Sequence, residues 1–188
     1  MTDSLPSRDD AWRLLCEHTH KEGLRKHALA VEAAMREYAR HFGEDEERWG
    51  ITGLLHDFDY ERWPDPENHP YRGVEILERE GYPEDVRQAI LGHASYTGVP
   101  RESRMARALY AVDELSGFVV AVALVKPNQS LDEVDVRSVR KKLKDKAFAR
   151  GVHREEVFAG AEELGVEFDQ HVERVIAGLQ ARRSELGL

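Results

Sequence analysis

The chain has 188 residues, with 27 Lys+Arg against 36 Asp+Glu, a formal net charge of −9, nine histidines and one cysteine. A lone Cys16 excludes an intramolecular disulfide framework and a Cys-rich zinc site, so any metal must be held by His, Asp and Glu. The acidic balance argues against a general nucleic-acid binder, whose affinity rests on neutralising phosphates, and 41% hydrophobic with 34% charged residues is the composition of a globular chain.

Read in order, helical periodicity dominates and strand alternation is nearly absent. Pro6-Ser7 opens a first helix that continues to about His18. A second runs from about Lys21 to His41 and stops at Gly43, with the stripe Leu24, His27, Val31, Met35 and Tyr38. A third starts near Glu44, with Glu44, Asp45, Glu46 and Glu47 in its first turn as the helix dipole prefers. It carries Trp49, Ile51, Leu54 and Leu55 toward His56-Asp57. Asp59 to Pro70 is a loop broken by Pro64, Pro66 and Pro70. Short helices follow over Tyr71 to Glu80, ended by Gly81, and from Pro83 to about Ala94. A long helix spans about Arg101 to Lys126, stopped by Pro127. Next come a basic segment from Ser130 to Arg150 and helices at about 153–164 and 168–185, with Gly151 and Gly165 as stops.

No repeat, low-complexity tract or linker divides the chain, so the expectation is one all-α domain over 1–188. Its core covers about 20–126, and a C-terminal helical extension about 127–188. Met1 to Asp10 is polar, without an apolar stretch of signal-peptide length. Leu115 to Val125 is about half the ~20 residues that a membrane span needs. A cytoplasmic protein with no membrane contact is the expectation.

Four places put ionisable groups where hydrophobes belong. His27 interrupts the stripe of the second helix. His93 lies on the face of Val86, Ala89 and Ile90. Asp113 falls in the stripe Ala106, Leu109, Val120, Leu124, and His56-Asp57 closes an apolar helix. A lone His is usually a core residue with one hydrogen bond, but an unpaired buried carboxylate costs several kcal/mol or more. A shared metal explains all four places at once, because imidazole and carboxylate are good ligands for Zn, Fe, Mn or Co.

The strings Lys26-His27-Ala28-Leu29-Ala30-Val31, Gly53-Leu54-Leu55-His56-Asp57 and Tyr110-Ala111-Val112-Asp113 resemble the H…HD…D signature of the HD superfamily of metal-dependent phosphohydrolases. The resemblance covers roughly residues 20–126 and is greatest to the small HD hydrolases of bacteria and archaea. It implies an HD-domain helical bundle with His27, His56, Asp57 and Asp113 as metal ligands. His69, in Asn68-His69-Pro70, and His93, in Gly92-His93-Ala94, resemble the extra histidines of the two-metal branch. There Asp57 would bridge the ions; with a single metal, the two histidines would contact phosphate or relay protons. The divalent ion could be Fe, Mn, Co, Ni, Zn or Mg.

The implied activity is hydrolysis of a small phosphoester, or of a nucleotide or dinucleotide polyphosphate, by a metal-activated hydroxide that Asp57 orients. Asp59 and Glu61, or a His that is not a ligand, are candidates to give the leaving oxygen its proton. Residues 137–150 hold seven Lys/Arg against Asp145, a net +6 that leaves −15 on the rest. Val136, Val139, Leu143 and Ala147 give this segment an apolar stripe. Its basic face is either solvated or a phosphate clamp with Lys142 or Lys146 reaching inward. Arg72 and Lys126 are candidates for the first phosphate. His18, His20, His41, His153 and His171 read as structural or surface residues. The partner is a small phosphorylated substrate and no nucleic-acid polymer, the chain being a monomer or a homodimer. Two competing readings are an HD-fold di-iron oxygenase, which the same six ligands would serve, and a non-catalytic metal-binding regulatory module.

Overall fold

Ser7 starts α1 (Arg8–His18) with a capping box: its hydroxyl accepts the Asp10 N–H, and the Asp10 carboxylate accepts the Ser7 N–H. This satisfies two of the backbone donors that a helix start leaves open. The structure, a computed structural model, describes residues 5–188. Among the described residues there are ten α-helices, two short 3-10 turns and no strand. The others are α2 (Glu22–Phe42), α3 (Glu46–Leu55), α4 (Tyr71–Arg79), α5 (Glu84–His93), α6 (Arg104–Leu124), α7 (Val136–Leu143), α8 (Arg154–Leu164), α9 (Phe168–Ala181) and α10 (Arg183–Leu186). None is long and apolar enough to cross a membrane.

Two helices organise the bundle. α2 packs against α3, α6 and α9, while α6 also takes α5 and α8. The buried apolar cluster runs from Ala11 to Leu186 and includes Val31, Met35, Tyr38, Leu54, Leu109, Leu115 and Phe118. The α2–α3 approach depends on Gly53: a Cβ there would lie 2.9 Å from Met35 Cγ and 3.0 Å from the Val31 carbonyl. Close approach at this point sets the end of α3, and therefore His56-Asp57, directly beside α2. Glu32 of α2 is fully buried beneath three guanidinium groups, those of Arg8, Arg36 and Arg182. These ion pairs tie α1 and the C-terminal turn to α2.

The helix ends depart from the sequence expectation for local reasons. Asp45 is the cap of α3, accepting the Arg48 N–H, and not part of its first turn. Ser103 caps α6 three residues later than expected, and the helix stops at Leu124, which is 49% exposed despite its place in the apolar stripe. α7 ends at Leu143, with Arg140, Lys141 and Lys142 in a last turn whose dipole favours cations, and the chain then turns through Asp145. Ala147 is therefore an exposed loop residue and not part of a stripe. The final helix breaks at Arg182, whose side chain bridges Glu32 and Glu185.

Candidate metal centre

Six side chains converge from five separate segments: His27 in the second turn of α2, His56 and Asp57 just past α3, His69 in the loop before α4, His93 at the end of α5, and Asp113 in the middle of α6. They fall into two sets. His27, His56 and Asp113 form the first: Asp113 Oδ1 is 3.0 Å from His27 Nε2 and 3.3 Å from His56 Nε2. His69, His93 and Asp57 form the second: Asp57 Oδ1 is 3.2 Å from His69 Nε2 and 3.1 Å from His93 Nε2. The other Asp57 oxygen, Oδ2, faces the first set, 3.4 Å from His56 Nε2 and 4.0 Å from His27 Nε2. One carboxylate thus stands between the two groups with one oxygen toward each.

The ring protons decide what such a cluster can hold. A backbone carbonyl only accepts, so His56 Nδ1 donates to Gly53 O at 2.7 Å and His93 Nδ1 donates to Ile90 O at 2.5 Å. His69 Nδ1 donates to Asp59 Oδ1 at 2.8 Å. In the neutral rings each Nε2 then carries a lone pair directed inward. His27 Nε2 and His56 Nε2 are only 3.2 Å apart. Lone pairs and carboxylate oxygens meeting at this range are reconciled by shared protons or by a bound cation, and fixing the ring through its other nitrogen is how metal-binding histidines are oriented. The donor set is nitrogen and oxygen, which suits Zn, Fe, Mn, Co and Ni, with Mg served by the carboxylates.

The electrostatics agree. Burial disfavours a charged His56, yet the Asp57 and Asp113 carboxylates outweigh it and hold His56 well above the usual histidine range. Burial also works against ionised Asp57 and Asp113, but His56 and the surrounding imidazoles keep both well below the usual carboxylate range. His69 is held up to about 9: hydrogen bonds to Asp57 and Asp59 overcome its burial. The protein alone gathers protons here because it gathers negative charge, and a divalent ion meets the same demand.

The cluster forms one end of a cleft of about 470 Å³. Tyr60 and Tyr96 flank it, with the Tyr96 hydroxyl donating to the His69 carbonyl at 3.0 Å. At the mouth stand Glu114 of α6, His153 and Glu156 of α8, with one ligand-type atom from each within 4.8 Å of the others. His153 donates its Nδ1–H to Glu114 Oε1 at 2.8 Å and its backbone N–H to Oε2 at 3.2 Å. The Glu114 bond holds His153 above the usual histidine range, while burial pushes Glu114 above the usual carboxylate range.

The remaining candidates lie elsewhere. Asp59 does not face the cleft: fully buried, it accepts from His69 Nδ1 and, at 2.8 Å, from the Gly73 N–H. Glu61 accepts the N–H groups of His20 and Lys21 at the start of α2. Neither carboxylate is placed to meet a leaving oxygen, contrary to the sequence expectation. Arg72 lies in a separate groove, paired with Asn68 and Glu75. Lys126 follows the end of α6, near Asp135, and Leu124 is already roughly 16 Å along the helix axis from Asp113. Lys142 covers the Phe148 ring at 4.5 Å, and Lys146 is exposed. No lysine or arginine lines the cleft among the described residues, so the basic segment is no clamp over it.

Of the five histidines read as bystanders, His171 is a buried structural bridge and His20 and His41 are exposed. His18 is buried against Phe58. His153 is at the surface, with a side chain 74% exposed, and also lines the cleft. Glu114 carried a usable signal: it and Asp113 are the only charged residues between Arg107 and Lys126. His153 and Glu156 carried none, because only the packing of α8 on α6 brings them there.

A family model described as HD domain matches residues 24–117, half of the chain and a span that contains all six clustered residues. No curated protein matches the chain.

Proposed function

Because the chain belongs to the HD-domain family, whose members are of the metal-dependent hydrolase type, we propose that it is a two-metal phosphohydrolase acting on a small phosphoester. The observation that carries this reading is the division of Asp57, with Oδ2 toward His27 and His56 and Oδ1 toward His69 and His93. His27, His56, Asp113 and Asp57 Oδ2 would hold one ion, and Asp57 Oδ1, His69 and His93 the other. Such a pair supplies Lewis acidity toward phosphoryl oxygens and lowers the pKa of water.

The chain's own groups supply the rest. Asp57 fixes the spacing of the two sets and presents its oxygens in a defined orientation. Asp59 holds the His69 ring from behind, so its Nε2 cannot swing out. His153, with Nδ1 committed to Glu114 and its side chain lining the cleft, would carry a second proton at Nε2 and is the candidate to protonate a leaving alkoxide. Tyr60, Pro64, Pro66 and Tyr96 wall the cleft and reduce access of bulk water to the phosphoester.

The test is phosphate release from a panel of phosphoesters with Mn, Mg, Co, Fe, Ni or Zn, alongside metal quantification of the same protein. About two ions per chain and turnover of at least one small phosphoester are expected. Asp57→Ala is expected to lose turnover at least ~10³-fold with helical content unchanged. Failure to take up any divalent ion, or turnover that survives Asp57→Ala, overturns the reading. Dioxygen consumption by the iron-loaded protein without phosphate release would move the assignment to an oxygenase.

A further inference from the structure

The charge in the cleft falls into two parts. Cations are gathered around Asp57 and Asp113, whereas the part next to the exposed His153 carries the carboxylates of Glu114 and Glu156. No lysine or arginine lines the cleft among the described residues; Arg101, paired with Glu163, lies within electrostatic reach of Glu156 from outside it. The rest of the mouth is aromatic: Tyr60 and Tyr96 are 39% and 53% exposed, which leaves their ring surfaces available to a ligand.

We infer that the cleft selects a phosphoester whose leaving group carries an ammonium, an aminoalkyl phosphate, with Glu156 reading the amine. This rests on the phosphohydrolase reading and narrows its substrate class. A phosphate seated at the inner end leaves the other end of a short ligand between Glu156 and the tyrosines. An ammonium there gains a charge-assisted contact to the carboxylate and the negative face of a phenol ring. A second phosphate, as in a polyphosphate chain, meets carboxylates at the same place, and like charges at contact distance are repelled. The volume points the same way: about 470 Å³ lies in the lower part of the roughly 300–1,000 Å³ usual for small-molecule clefts.

Binding can be read without turnover by using phosphonates, in which carbon replaces the ester oxygen and no hydrolysis occurs. Calorimetry on the metal-loaded protein would compare 3-aminopropylphosphonate with butylphosphonate, 3-carboxypropylphosphonate and an adenosine phosphonate. The amine is expected to bind about tenfold more tightly than the butyl compound, as one charge-assisted contact provides, and the carboxylate more weakly than either. Glu156→Gln is expected to remove most of the amine's advantage while leaving or improving butylphosphonate affinity. Equal binding of amine and butyl compounds overturns the proposal but spares the phosphohydrolase reading. Tighter binding of the adenosine compound, or a third metal ion held at Glu114, His153 and Glu156, also overturns it alone. No binding of any phosphonate overturns both.

Discussion

His69 donates its Nδ1 proton to Asp59 across 2.8 Å, and Asp59 has no surface exposed to solvent. The second Asp59 oxygen accepts the Gly73 N–H at 2.8 Å, so both sides of the carboxylate are engaged. The charge of Asp59 therefore acts through the imidazole, raising the basicity of the Nε2 that faces Asp57. Asp59→Asn keeps the shape and removes the charge. It is expected to weaken one of two metal ions by about 10–100-fold, the usual cost of losing such a partner, and to leave the other unchanged. Metal titration by calorimetry checks this; equal weakening of both ions would contradict it.

Gly73→Ala approaches the same pair through the backbone. A Cβ at this position would lie 2.8 Å from Asp59 Cγ and 3.0 Å from Phe58 Cε1. Both neighbours are buried and cannot swing away, so α4 must shift and take its N–H with it. The expected result is loss of about 1–3 kcal/mol of stability, as for other overpacked interiors, with the same selective loss of the ion nearest His69. Denaturant unfolding and metal titration of the one variant read both effects.

The inner part of the site was legible because it violates hydrophobic patterning. His27, His93 and Asp113 each stand in an apolar stripe, and all three reach the cluster. Chain order was legible too, since Gly43 and Gly165 end α2 and α8 in the left-handed conformation, with φ of 70° and 75°. The mouth was not. His153 precedes α8 and reaches Glu114 across 39 positions of sequence, and this contact exists only because α8 lies on α6. Asp59 and Glu61 misled for the related reason that adjacency to His56-Asp57 in sequence does not fix the direction of a side chain in a loop. Arg72, Lys126, Lys142 and Lys146 were chosen by charge alone, which says nothing of the face they occupy.

The placement of His153 rests on Arg154. Its guanidinium donates to the carbonyls of Leu143, Asp145, Phe148 and Val152, gathering the turn between α7 and α8 around one cation. Within that turn Ala149 has φ of 44°, a conformation that non-glycine residues adopt at a cost, and Gly151 lines the cleft. Arg154→Met keeps an unbranched side chain and removes the donors together with the guanidinium that stands 5.5 Å over the Phe118 ring. Faster proteolysis within 144–152 and a fall in kcat of about tenfold or more are expected, with metal content unchanged. Unaltered cleavage together with unaltered kcat would show that the turn holds itself.

His171 sets an acid limit to stability that is separate from the metal site. Its ring joins three helices: Nδ1 accepts from the Tyr38 hydroxyl of α2 at 2.5 Å, and Nε2 donates to the Ala111 carbonyl of α6 at 3.0 Å. Burial pushes it down to about 4, and the hydrogen bond to Ala111 only partly offsets this. An unfolded histidine titrates near 6.5, so between about 6.5 and 4 the unfolded chain binds the extra proton and the folded one does not. Stability is therefore fully present above pH 6.5, falls as pH drops toward 4, and changes no further through this group below that. The span corresponds to a loss on the order of 3 kcal/mol. His171→Phe removes the titration while every other group, including His56 and His69, titrates in both proteins and cancels in the difference. Denaturant unfolding at pH 7.5, 6, 5 and 4 should show the wild-type advantage over His171→Phe shrinking by about 3 kcal/mol. A gap that stays constant with pH would mean that His171 titrates alike in the folded and the unfolded chain.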